Sequence, residues 1–141
     1  MDAKRRKELI ERYKDGYRMV ADALLGADDQ ELDARPAPGK WSAREIVHHL
    51  ADSEMTSAIR MRLMLAVDRP EIKGYDQDEF ARKLHYERPI EASLEAFKAA
   101  RRTTGDIMDH RTEVVHVLID GVPQSLETRH TRLYEEFKNR P

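Results

Sequence analysis

Ser42 and Glu45 stand three residues apart at the head of a run whose apolar residues repeat with the period of a helix, and no other feature limits the fold so strongly. In a Ser-x-x-Glu capping box the two side chains satisfy amide donors that a helix start leaves orphaned. Pro36, Pro38 and Gly39 lie just upstream and signal the loop that feeds it. Ile46, Val47, Leu50, Ala58, Met61, Met64 and Leu65 then form a stripe, which predicts a helix from Ser42 to about Val67. Glu54 falls close to the centre of that stripe and His49 on its flank, while His48 points further out. A carboxylate and an imidazole beside a buried face need partners.

Leu9, Tyr13, Tyr17, Val20 and Leu24 predict an earlier helix over about residues 3–25, with Gly26 as its stop. Gly16 inside it costs about 1 kcal/mol relative to alanine, so it marks a close helix contact. Residues 26–40 are polar and proline-rich and read as a loop; residues 68–75, with Pro70 and Gly74, read as a second connection. Asp76 with Glu79 repeats the capping pattern and starts a short helix to about His85. Pro89 falls where the first turn of a third long helix tolerates it, and that helix runs from about Ile90 to Met108. Its stripe of Ile90, Leu94, Phe97, Arg101, Thr104 and Met108 puts a guanidinium on the apolar face. Either Arg101 pairs with Glu54 inside a bundle, since each alone is expensive to bury, or it carries its head out to solvent.

Residues 113–119 are rich in β-branched side chains and end at Asp120-Gly121, a turn dipeptide. They read as a short strand or an extended connection, and Pro123 argues against a hairpin partner. From Ser125 a final helix is readable to about Arg140, with Leu126, His130, Leu133, Tyr134 and Phe137 on one face. His130, like His49, is turned inward. Amphipathic helices joined by polar connections imply a helical bundle.

The length of 141 residues suits one domain over 1–141. A formal net charge of -2 gives no reason to expect nucleic acid or an acidic membrane as partner. The basic run Lys4-Arg5-Arg6-Lys7 is followed by Glu8 and Glu11 and reads as an exposed helix start. With no cysteine, disulfides, thiol nucleophiles and thiolate metal sites are excluded, which is compatible with a reducing cytoplasm. No apolar run has signal-peptide or membrane-span length, so a soluble cytoplasmic protein is expected.

In a bundle, sites are built from side chains on facing helices. His49 and His130 are candidates to converge on a metal, imidazole being the commonest nitrogen ligand; a hydrogen-bonded core histidine is the competing reading. The chain has no His-x-x-x-His or His-Glu-x-x-His pattern, and Glu127-x-x-His130 lacks the second such motif that a dimetal bundle needs.

Trp41-Ser42, then Glu45-Ile46-Val47-His48-His49-Leu50-Ala51-Asp52 and Glu54, resemble the second-helix signature of the DinB-like (DinB/YfiT) superfamily. The agreement continues through Gly74-Tyr75-Asp76, Ala81, Tyr86, Ser93-Leu94, Phe97 and Arg101. The resemblance implies an all-α, up-down-down-up four-helix bundle. It also implies a divalent metal (zinc, nickel or iron) held by one histidine of the second helix and a His-x-x-x-His pair of the fourth. His49, which directly precedes Leu50, matches the first ligand, and His130 with Leu133 and Phe137 matches the second. Tyr134 stands where the third histidine falls, so Tyr134 or Glu127 would complete the set; His110 and His116 are further candidates on the unmatched segment. By the same resemblance the chain is expected to be a metal-dependent transferase or hydrolase that uses a low-molecular-weight thiol on a small electrophile, as a homodimer. The alternative is a non-catalytic bundle that has lost the full metal site and works by oligomerisation or ligand binding.

Overall fold

The computed structural model describes residues 2–109, 117–119 and 122–124. They divide into two compact units, one of residues 2–61 with 75–109 and the other of residues 62–74 with 117–119 and 122–124.

The first unit holds α1 (Ala3–Ala23), α2 (Asp29–Asp33), most of α3 (Ala43–Ala66), α4 (Gln77–Lys83) and α5 (Glu91–Asp109). Asp2 caps α1 by accepting from the Arg5 amide at 2.7 Å. The helix ends where the Leu24 amide donates to the carbonyls of Val20 and Ala21, and Gly26 follows at φ 82°. α1 packs on α5, and at Gly16 the approach is so close that a methyl group there would land on the Arg101 guanidinium. The glycine does mark a close helix contact. A second crossing mirrors it, with the buried Gly105 of α5 lying against the aliphatic stem of Lys14 from α1.

The expectation of a plain loop over residues 26–40 is overturned by α2. Asp28 and Glu31 form a full capping box, the Glu31 amide donating to Asp28 Oδ1 at 2.8 Å and the Asp28 amide to Glu31 Oε2 at 3.1 Å. The single turn is anchored by Leu32, which is buried with Val47 and Ile90 and packed by Leu24, Ala43 and Leu94. Its two outer carboxylates hold Arg44 of α3. Asp33 accepts from Arg44 Nε at 2.6 Å and Asp29 from its terminal nitrogen at 2.7 Å, bonds that raise the guanidinium pKa further above its ordinary value.

The α3 cap forms as its spacing predicts. The Ser42 amide donates to Glu45 Oε2 at 2.8 Å and the Glu45 amide to Ser42 Oγ at 3.3 Å. Ser42→Ala should therefore lower stability by about 1 kcal/mol, read as a fall in thermal midpoint; an unchanged midpoint would show that the hydroxyl adds nothing to this cap. The buried face of α3 is rotated from the expected stripe. It carries Arg44, Val47, His48, Ala51, Asp52, Glu54 and Ala58, while Ile46 and Ile59 are 45% and 61% exposed. Small and polar residues line this face because tight packing and hydrogen bonding, not bulk, decide what is buried there.

Asp76 caps α4 by accepting from the amides of Asp78 and Glu79. Ile90, not Pro89, is the last residue before α5, and its carbonyl accepts the Leu94 amide at 2.9 Å. Pro89 thus precedes the cap instead of occupying the first turn.

In the second unit, β1 (Glu71–Ile72) pairs in parallel with β2 (Val117–Ile119), which pairs antiparallel with β3 (Val122–Gln124). Residues 68–75 are thus not only a connection. Pro123 does belong to a hairpin, opposite Leu118. It is tolerated because β3 is the edge of the order β1-β2-β3, where a missing amide donor removes no ladder bond. The expected final helix, and with it Glu127, His130 and Tyr134, lies outside the described residues, as do His110 and His116.

Candidate functional site

The two adjacent histidines of α3 have opposite fates. His48 has no exposed surface, which corrects the outward position expected for it. Its Nε2 is 2.9 Å from the Arg88 carbonyl, which only accepts, so Nε2 carries the proton. Nδ1 is then the acceptor for Ser93 Oγ, 2.7 Å away, and Arg88 also reaches that hydroxyl at 3.4 Å. Burial pushes the His48 pKa down, in keeping with a neutral ring. Both nitrogens are satisfied, and the residue ties α3 to the start of α5. His48 is a structural histidine.

His49, about 100° further round the helix, is half-buried, and its Nδ1 is fully buried without a hydrogen-bond partner among the described residues. Leaving such a nitrogen unsatisfied costs on the order of 1–3 kcal/mol. The ring is met edge-to-face by Trp41, with centroids 5.0 Å apart and planes at 74°. Trp41 in turn meets Tyr86 at 6.2 Å and 87°. Tyr86 is buried and donates to Asp52 Oδ2 at 2.7 Å; burial, and then the Asp52 carboxylate, raise its phenol pKa. Asp52 lies on α3, one turn beyond the histidines, so the contacts close on the helix from which they began.

Glu54 and Arg101 form the pair that their positions on apolar faces suggested. Arg101 Nε donates to Glu54 Oε2 at 2.9 Å, with the side chains 23% and 8% exposed. The second Glu54 oxygen accepts from the Tyr13 hydroxyl, and a terminal nitrogen of Arg101 donates to the Tyr13 carbonyl at 3.0 Å. The guanidinium lies over the rings of Tyr13 and Phe97, at 4.6 and 5.0 Å from their centroids. Burial and the Glu54 carboxylate hold the Tyr13 phenol above its usual range. No fully buried side-chain nitrogen or oxygen of this interior cluster is left without a partner, so it reads as architecture and not as a reactive centre.

Among the described residues no three His, Asp or Glu side chains gather as a metal cage. His49 is the one sequence-expected ligand that the structure describes, and its unclaimed buried nitrogen is the donor chemistry a borderline metal takes. An open furrow of about 1120 Å³ between α1 and α5 contains no histidine. Lys7, Glu11, Arg12, Arg102 and Asp106 are among its lining residues, and this alternation of sign suits a solvated face. The roles of Trp41, Asp52, Tyr86 and Ser93 were not legible as chemistry. The available signal was the line of Ala51 and Ala58, whose small side chains mark the tightly packed side of α3.

The family model of the DinB superfamily matches residues 12–137. A protein of Oceanobacillus iheyensis named "putative metal-dependent hydrolase" is 35% identical over 95 residues, which cover 67% of this chain and 55% of that protein. A protein of Halalkalibacterium halodurans with the same description is 35% identical over 75 residues, covering 53% and 44%. The chain thus spans about half the length of the curated relatives it matches. Among solved structures, YfiT from Bacillus subtilis matches with a TM-score of 0.76 at 23% identity, over 83% of this chain and 69% of that one. Its description reads "a probable metal-dependent hydrolase with an unusual four-helix bundle topology". The match identifies the fold as an all-α four-helix bundle of the YfiT kind. Since the family model runs through nearly the whole sequence, the chain belongs to the DinB superfamily.

Proposed function

We propose that this chain is a metal-dependent enzyme acting on a small molecule, with His49 as a metal ligand. The observation that carries the reading is the buried His49 Nδ1, which has no hydrogen-bond partner among the described residues. The proposed donor set adds His130 and Tyr134. Zinc, nickel or iron in that set would act as a Lewis acid and lower the pKa of a bound water or thiol. The names of the relatives favour hydrolysis; transfer of a low-molecular-weight thiol to an electrophile rests on the family resemblance. Cytoplasmic location and a homodimer belong to the same proposal. No helix among the described residues is long and apolar enough to cross a membrane.

The second reading is a bundle without catalysis that binds a ligand or a second copy of itself. It draws on Tyr134 occupying the place of a histidine. Protein purified without a histidine tag decides between them. Metal analysis is expected to find a partial equivalent of zinc, nickel or iron, and His49→Ala to lose it. Trp41 is the sole tryptophan and lies beside His49, so nickel binding there should quench its emission. Metal-free protein whose emission ignores millimolar nickel would leave the non-catalytic reading standing.

A further inference from the structure

We infer that Trp41 orients the His49 imidazole for metal ligation, a task that elsewhere falls to a hydrogen bond, and that Tyr86 and Asp52 hold Trp41 in place; this rests on the proposed role of His49 as a ligand. A ligating histidine almost always donates its second ring nitrogen to a carboxylate, carbonyl or water, which fixes ring rotation and tautomer. His49 lacks such an orienter among the described residues: with the buried Nδ1 as the ligating nitrogen, no hydrogen bond from a described residue holds the other ring nitrogen, Nε2. The neighbouring His48 shows what the usual arrangement looks like in this protein, with one nitrogen on a carbonyl and the other on a hydroxyl.

What restrains the His49 ring is the indole against it, at 5.0 Å and 74°. An aromatic pair in this geometry contributes about 0.5–1.5 kcal/mol beyond its buried area, enough to favour one ring rotation. The indole has a backstop. Tyr86 stands edge-on to it at 6.2 Å, and its ring also rests on His48 at 5.4 Å. The hydroxyl of Tyr86 is tied to Asp52 at 2.7 Å. Trp41 directly precedes the Ser42–Glu45 cap, so its backbone is fixed by the helix start. Trp41 and Tyr86 are thus positioning residues, which act on the metal only through His49.

The test uses the full chain without a tag, zinc alone as the probe, and three variants. Trp41→Leu keeps apolar bulk and removes the aromatic face; Trp41→Phe keeps a smaller face; Tyr86→Phe removes only the tie to Asp52. In metal-free wild type, NMR of the His49 ring should show one set of signals displaced by the indole ring current. In Trp41→Leu the displacement should vanish and the signals average. Zinc affinity by calorimetry should fall about 10–100-fold in Trp41→Leu, the range found when an orienting partner of a ligand is lost. Trp41→Phe should recover most of that loss, and Tyr86→Phe should show a smaller loss with the indole still present. Trp41→Leu binding zinc as wild type does, with only its melting temperature lowered, would reduce Trp41 to packing and overturn the inference. A wild type that binds no zinc removes the metal reading itself. The ring signals then decide alone, and a His49 spectrum unchanged by Trp41→Leu overturns the positioning role. If Trp41→Leu does not fold, Tyr86→Phe decides: wild-type affinity and an unmoved His49 spectrum would refute the chain of contacts.

Discussion

Arg101→Met should lower the stability of this protein by on the order of 3–5 kcal/mol. The arginine head closes a cluster in which Glu54, with its side chain only 8% exposed, would be left as a buried charge facing the Tyr13 hydroxyl alone. Glu54→Gln should cost a similar amount, because the guanidinium then loses its counter-charge between the rings of Tyr13 and Phe97. The double variant should cost much less than the sum of the two, since neither charge is then stranded. Urea denaturation of the four proteins measures the coupling. Strictly additive losses would mean that the two heads are solvated independently, and the buried pair would then not be a unit. Replacing both by well-packed apolar residues is a separate matter, because such pairs are often neutral to stability once their desolvation is counted. The cluster is better understood as specifying which faces of α1, α3 and α5 meet.

The other large effect concerns the proposed site. Tyr134→His should raise affinity for zinc or nickel by at least about 10-fold, a gain of roughly 1.4 kcal/mol. A phenol with a reference pKa near 10 is a poor ligand at neutral pH, whereas an imidazole one turn beyond His130 would restore an i, i+4 pair. His49→Ala should abolish binding in both backgrounds. Calorimetry on the variants separates two failures. No gain from Tyr134→His would place position 134 outside the ligand register while leaving His49 in question; undiminished binding in His49→Ala would remove His49 itself.

Features that rest on local chemistry were legible before any coordinates. The capping box at Ser42 and the simple cap at Asp76 depend only on residues within one turn, and both helices start where they predict. The Glu54–Arg101 pair was legible for another reason, since a charge on an apolar face admits few outcomes and pairing is one of them. The choice between His48 and His49 was not. Two neighbours on a helix differ by about 100°, and Ile46 and Leu50 suggested a phase that the packing does not follow. The hydrogen bonds that His48 donates to the Arg88 carbonyl and accepts from the Ser93 hydroxyl, residues about 40 positions away in sequence, decide which histidine is interior. α2 was passed over although Asp28 and Glu31 carry the same capping spacing, because a five-residue helix has no periodicity to read; Leu32 and the bonds to Arg44 anchor it. β1 and β3 escaped because two- and three-residue strands are set by their partners. Of the site, His49 was legible by its place before Leu50, but the aromatic contacts that surround it depend on the path of the chain between α4 and α5.

The two glycine crossings between α1 and α5 have a mechanical consequence. At one, an arginine of α5 passes across α1; at the other, a lysine of α1 passes across α5. One such crossing would act as a pivot. Two crossings at different heights along the helices work as a pair of pins, so the helices neither slide nor scissor without extracting a cation that is already engaged, Arg101 with Glu54 and Lys14 with Asp106. The α1–α5 pair therefore behaves as a rigid plate. Neither pin reaches the turn between α4 and α5 or the segment before α3, the two places that supply Tyr86 and Trp41.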